Sequence, residues 1–265
     1  MALKSLFRLG KTMEISIIAE KLFSLGGFPV TNSFFVAVLV AVLLAITVIF
    51  FSRHPKEIPR GVQNVVESIF EGLLSFIESI TNDRKQARDF FPLVATIFLF
   101  VLFSNWSGLL PGAGTIGLNE TNAGQVSMVP FLRGPAADLN MTVALSLVAV
   151  ISVQVFGILA LGIRGYGSKF IVAPWKKPYV IGTVVGLLEL IGEFAKILSF
   201  SFRLFGNVFA GEVLLTVMLT LVPYLVPLPF LLLETFVGVV QAAVFSLLTI
   251  VFLKMAVTSH AEEAH

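Results

Sequence analysis

The chain has 265 residues, 57% of them hydrophobic and 13% charged, with a mean hydropathy of +0.95. Soluble domains run at roughly 45–50% apolar and about 25% charged residues, so a soluble globular protein is excluded and a polytopic all-α membrane protein is expected. The net charge of +2 is spread over short loops and offers no basic face for nucleic acid, and the absence of cysteine excludes disulfides and thiolate chemistry.

The N-terminus carries Lys4, Arg8 and Lys11, but Glu14, Glu20 and Lys21 interrupt the apolar run after them. That is a poor secretory signal. A short interfacial helix around Met13–Leu25, within an N-terminal segment 1–27, is expected ahead of the Gly26-Gly27 break. The first span runs from about Thr31 to Ser52, with Thr31, Asn32 and Ser33 as cap candidates. It is long enough to cross about 30 Å of hydrocarbon at about 1.5 Å per residue.

Gly61 to Thr81 keeps a helical period, with Val65, Val66, Ile69, Phe70, Leu73, Leu74 and Ile77 beside Glu67, Glu71 and Glu78. Three acids in hydrocarbon are costly, so this is read as an amphipathic helix on the membrane surface rather than another span. A charged cluster, Asp83–Asp89, precedes a span over 90–110 that ends at Pro111-Gly112. A polar loop to Pro135 leads to Asp138, Asn140 or Thr142 as the start of a span ending near Ile163.

The last two apolar stretches are unusually long. Pro178–Leu221 covers 44 residues, about 66 Å as a helix, and Leu228–Thr258 covers 31, about 46 Å. Both exceed the hydrocarbon thickness, so a strongly tilted antiparallel hairpin is expected, turning at Pro223, Pro227 and Pro229. This gives five transmembrane helices in one membrane domain. Ten positive residues in the loops at 53–60, 84–88 and 164–177 face one in the opposite loops, Arg133. That asymmetry puts the C-terminus in the cytoplasm and the N-terminus outside.

Chemistry concentrates in the hairpin. Arg203 lies deep in an apolar helix and cannot be deprotonated. Placing it near a bilayer centre costs about 3 kcal/mol, and a charge at that depth marks a functional site. At about 100° per residue, Glu189, Lys196, Ser199 and Asn207 fall within about 40° of Arg203, Glu193 about 80° away, and Glu212 on the opposite face. Residues equidistant from the turn share a depth, which sets Arg203 level with Gln241 and Glu212 level with Glu234. Two carboxylates at one depth cannot both ionise cheaply, so that pair can hold and pass a proton. Gly238, Ala242 and Ser246, and Gly206 with Ala210, permit close helix approach.

Plainer roles stand beside these. Arg203 can be a structural residue, Glu212 and Glu234 a static pair, and Glu189, Glu193 and Lys196 an interfacial salt-bridged patch. Asp138 reads as a helix cap before a channel acid. His54, His260 and His265 lie in loops or the tail, and the tail lacks the i,i+4 pair of a helical zinc motif. No metal or other cofactor is expected. An intramembrane hydrolase would need a base beside its nucleophile, and the spans hold no histidine. A self-contained secondary ion transporter is the alternative, but no internal repeat supports it.

Ser201-Phe202-Arg203-Leu204-Phe205-Gly206-Asn207, Ala210-Gly211-Glu212 and the distant Gln241 resemble subunit a of the F-type ATP synthase. Phe28–Ser33, Asn105 with Gly108–Gly112, and Asp138–Thr142 extend the resemblance over most of the chain. It implies a proton-translocating stator subunit, not catalytic by itself, beside a ring of c subunits, with subunit b and the lipid bilayer as further partners. It also implies that Arg203 faces the ring carboxylates, supported by Asn207 and Gln241. Glu212 and Glu234 would line the outer half-channel and Glu189 the inner one, with Glu193, Lys196 and Asp138 as further candidates. Glu234 stands where some members carry histidine. The membrane expected is the bacterial plasma membrane, with thylakoid and mitochondrial inner membranes as alternatives.

Overall fold

The computed structural model describes residues 19–53, 61–110, 116–122, 125–170, 179–222 and 225–258. A strand pair, β1 (Lys21–Leu25) and β2 (Phe28–Thr31), leads into α1 (Asn32–Arg53) and α2 (Val62–Thr81). Then come α3 (Arg84–Ser107), a second hairpin of β3 (Gly117–Asn122) and β4 (Gln125–Pro130), a 3-10 turn at Pro135–Ala137, and α4 (Leu139–Phe170). The hairpin of α5 (Tyr179–Leu221) and α6 (Pro227–Val257) completes the bundle. Five helices, α1 and α3 to α6, are long and apolar enough to cross a membrane.

Several expectations need correction. Lys21–Leu25 is a strand, not the end of a helix, because the positive-φ glycines Gly26 and Gly27 turn the chain back onto Phe28–Thr31. The rest of that expected helix, 13–18, lies outside the described residues, as do the tail histidines. The polar loop before Asp138 contains an antiparallel hairpin, Gly117 opposite Pro130. The second span starts at Arg84, inside the charged cluster, because Asp83 caps it by accepting from the backbone N–H groups of Lys85 and Gln86. The third continues to Phe170 across a break at Gly162, whose φ of 72° is open to glycine.

Two apolar cores stack along the bundle. One joins Ile97 and Val101 of α3 with Val150 of α4, Phe200 and Leu204 of α5, and Phe245 of α6. The other sits between α2, α3, α4 and α6 around Ile77, Phe90, Val94, Tyr166 and Leu253. The amphipathic α2 thus buries Ile77 and leaves Glu71 exposed, the two-faced pattern its sequence predicts. Lys254 near the end of α6 donates to the Ile80 carbonyl at 2.8 Å, satisfying a C-terminal acceptor of α2.

Coverage is uneven in the hairpin. Of the apolar stretches, 44% of α6 is buried but only 11% of α5. α6 is central, and α5 presents Leu187, Ile191, Phe194, Leu198 and Phe202 outward.

Candidate functional site

The hairpin is antiparallel and its register is fixed by contacts along its length. Phe200 meets Phe245 with ring centroids 4.6 Å apart, and Asn207 Nδ2 donates to Gln241 Oε1 at 2.7 Å. A Cβ on Gly211 would overlap the Glu234 carboxylate. The bare backbone at Gly211 therefore makes room for that side chain, one residue before Glu212. The depth matching read from the turn set Arg203 level with Gln241 and Glu212 level with Glu234. The structure instead bonds Gln241 to Asn207, one helical turn nearer the bend of the hairpin, and seats Glu234 at Gly211, one residue from Glu212.

Arg203 is exposed on α5 and Nη2 donates to Ser199 Oγ at 3.2 Å, one turn away. Among the described residues it forms no ion pair. A permanent cation whose one side-chain partner among the described residues is a hydroxyl is an electrostatically incomplete site. A cavity of about 240 Å³ runs from Gly192 to Arg203, lined also by Lys196, Ser199, Leu248 and Phe252. That is room for several waters, and Lys196 and Arg203 share one groove as the helical wheel predicts.

Glu212 points away from Arg203, again as the wheel predicts, but its contact is not the expected one. Glu212 Oε2 accepts from Arg133 Nη2 at 3.4 Å, and Arg133 is 7% exposed. The sequence counted Arg133 only as a loop charge. Its signal was there: it is the one cation in the stretches 111–135 and 223–229, next to Gly134-Pro135. Glu234 stays half-buried at the same level, against Gly211 rather than bonded to Glu212.

Asp138 is 5% exposed and caps α4: Oδ1 accepts from the Asn140 N–H at 3.0 Å, while Oδ2 accepts from Ser33 Oγ at 2.7 Å. Its carboxylate thus caps α4 and ties the start of α1 to that of α4. Thr142, one turn on, reaches Ser201 of α5 at 3.2 Å. Asn105 and Trp106 of α3 donate to the Gly238 and Thr235 carbonyls of α6 at 3.3 and 3.2 Å. Gly238 belongs to the small-residue stripe, and a Cβ there would come within 3.3 Å of Asn105 Cβ. The stripe admits α3.

At the other end, Glu193 accepts from Lys196 Nζ at 2.6 Å and from Gln154 Nε2 at 2.7 Å. Gln154 Oε1 accepts from Tyr166 at 2.6 Å, and the Lys196 ammonium lies 4.6 Å from the Phe252 ring centroid. Glu189, one turn before Glu193, is half-buried on the same helix. Neither Gln154 nor Tyr166 was singled out from the sequence, although a lone glutamine inside an apolar span is a signal for an interhelical bond.

These features define a polytopic α-helical membrane protein with charged and amide side chains arrayed along its last two helices, α5 and α6. The family model described as ATP synthase A chain matches residues 33–254. The chain is similar to ATP synthase subunit a of Moorella thermoacetica, 34% identical over 91% of this chain and 97% of that one. Likewise it is 38% identical to that of Gloeobacter violaceus, over 89% of this chain and 88% of the relative. It belongs to the ATP synthase subunit a family.

Proposed function

We propose that this chain is the proton-translocating stator subunit of an F-type ATP synthase membrane sector, without catalytic activity of its own. The observation that carries the reading is Arg203, exposed on the least covered of the candidate spans, with Ser199 as its one side-chain partner among the described residues. The missing anion is then a carboxylate on each c subunit of a rotating ring that docks along α5. Glu212 and Glu234 line the outer half-channel. The groove beside Lys196 and Ser199, with Glu189 near its inner end, forms the other.

A proton arriving from outside neutralises a ring carboxylate, which can then turn through lipid. On reaching Arg203, a fixed positive charge favours the ionised carboxylate and releases the proton into the groove. The same charge repels a proton attempting to pass directly between the half-channels. Each charge crossing carries about 2.3 kcal/mol per 100 mV, so a leak past Arg203 dissipates the gradient without torque. Asn207 and Gln241 brace α5 one turn above. The loop charges support a cytoplasmic C-terminus in a bacterial plasma membrane, and subunit b is the expected stalk partner.

The test is proton flux in vesicles holding the assembled membrane sector, with ATP-driven pumping measured in parallel. Arg203→Ala abolishes pumping and retains or raises passive flux. Unchanged pumping in that variant would make the arginine structural and remove the stator reading.

A further inference from the structure

The chain Tyr166–Gln154–Glu193–Lys196 has features that a chance interfacial patch lacks. It depends on two glycines. Gly162 takes a φ of 72°, which breaks α4 and redirects its last turns. Gly157 lies under the Tyr166 ring, where any Cβ would overlap ring carbons. Tyr166 is 6% exposed and is part of the core that includes Ile77, Phe90 and Leu253. Its side chain is therefore packed among residues of α2, α3 and α6 and has little freedom to wander.

The bond directions are also determined. The tyrosine O–H donates to the amide oxygen of Gln154, which obliges the amide nitrogen to face Glu193. The amide donates to one carboxylate oxygen and the Lys196 ammonium to the other. This order needs the tyrosine O–H as a donor and leaves both Glu193 oxygens as acceptors. A glutamine amide does not pass protons readily, so this chain orients charges rather than conducting. Its far end, Lys196, lines the same cavity as Arg203, about two turns away along α5.

Lysine carries a long, flexible stem with many rotamers, so a free ammonium in that groove would sample many positions. Some of those positions block the water path or pair with a carboxylate approaching Arg203. The clamp and the Phe252 ring hold it against the wall.

We propose that Tyr166 and Gln154 are positioning residues that, through Glu193, fix the Lys196 ammonium as a wall charge of the groove leading from Arg203. This rests on the stator reading and adds to it a device that keeps a second cation from competing with the first.

The experiment is a double-mutant cycle in the intact complex, reading ATP-driven proton pumping and passive flux after the catalytic head is stripped. Tyr166→Phe keeps the ring over Gly157 and removes only the donor. It lowers both fluxes about five-fold, the factor set by one ordinary hydrogen bond, with unchanged assembly. In a Lys196→Ala background the same substitution has no further effect, because there is no ammonium left to position. A purely structural tyrosine gives equal losses in both backgrounds, which overturns the proposal. Gln154→Leu repeats the cycle from the other partner of the Tyr166 bond, and independent losses there overturn it as well. Arg203→Ala is run alongside. If it abolishes pumping while Tyr166→Phe behaves as wild type, the clamp alone falls. If Arg203→Ala pumps normally, the stator reading falls first.

Discussion

Arg133 and Glu212 meet at 3.4 Å although 79 positions separate them, one in the turn before α4 and the other on α5. The contact gives the back of α5 its own cation, distinct from Arg203 on the front. It also separates the roles of two acids that share a depth. Glu212 has a guanidinium beside it, and Glu234 has the bare backbone of Gly211. Among the described residues no cation pairs with Glu234, so on the proposed function it is the better placed of the two to take up and release a proton.

That separation predicts a modest role for Arg133. The carboxylate of Glu212 is 35% exposed, which screens the pair to about 0.5–1 kcal/mol. Arg133→Gln therefore slows pumping by about three-fold, and less in a Glu212→Gln background. Equal losses in both backgrounds would show that the two side chains act separately.

Gly211→Ala separates folding from transport. The added methyl meets only the far end of the Glu234 side chain, which can swing aside, so the helices stay packed and the complex assembles. The carboxylate is displaced by about 1 Å or more, and a shift of that size in a reacting group costs up to about a hundred-fold in rate. Pumping assays with purified complex check this. A variant that pumps at the wild-type rate means that the seat over Gly211 is unimportant to Glu234.

Gly238→Ala has the opposite profile. Its methyl would press on Asn105 Cβ at 3.3 Å and Trp106 Cδ1 at 3.4 Å, pushing α3 from α6 by a few tenths of an ångström. The Asn105 and Trp106 bonds to α6 then lengthen from 3.3 and 3.2 Å, at a cost of about 1 kcal/mol each if lost. Thermal melting of the complex should drop, and Gly238→Leu should prevent assembly. No drop in melting would show that α3 and α6 have slack at this point.

The sequence alone determined the class, the five spans, the amphipathic α2 and the long hairpin, because each is written in local hydropathy and periodicity. It also determined the sorting of α5 into faces, since 3.6 residues per turn fixes which side chains share a side once the helix is known. Depth matching across the hairpin came within one helical turn for the same reason, since two rigid rods joined by a short turn leave little freedom; the partner of Gln241 is Asn207 and not Arg203. The β-hairpins were missed because Gly26 and Gly27 read as a stop and not as a reversal, and a polar loop carries little periodic signal. Partners from distant segments were decided by the tertiary structure. Arg133 finds Glu212, Ser33 finds Asp138, and Tyr166 finds Gln154 only after Gly162 has bent the end of α4. Charges and amides in an apolar interior have few possible partners, and which one each meets depends on how helices from separate parts of the chain stack, a relation that no local pattern records.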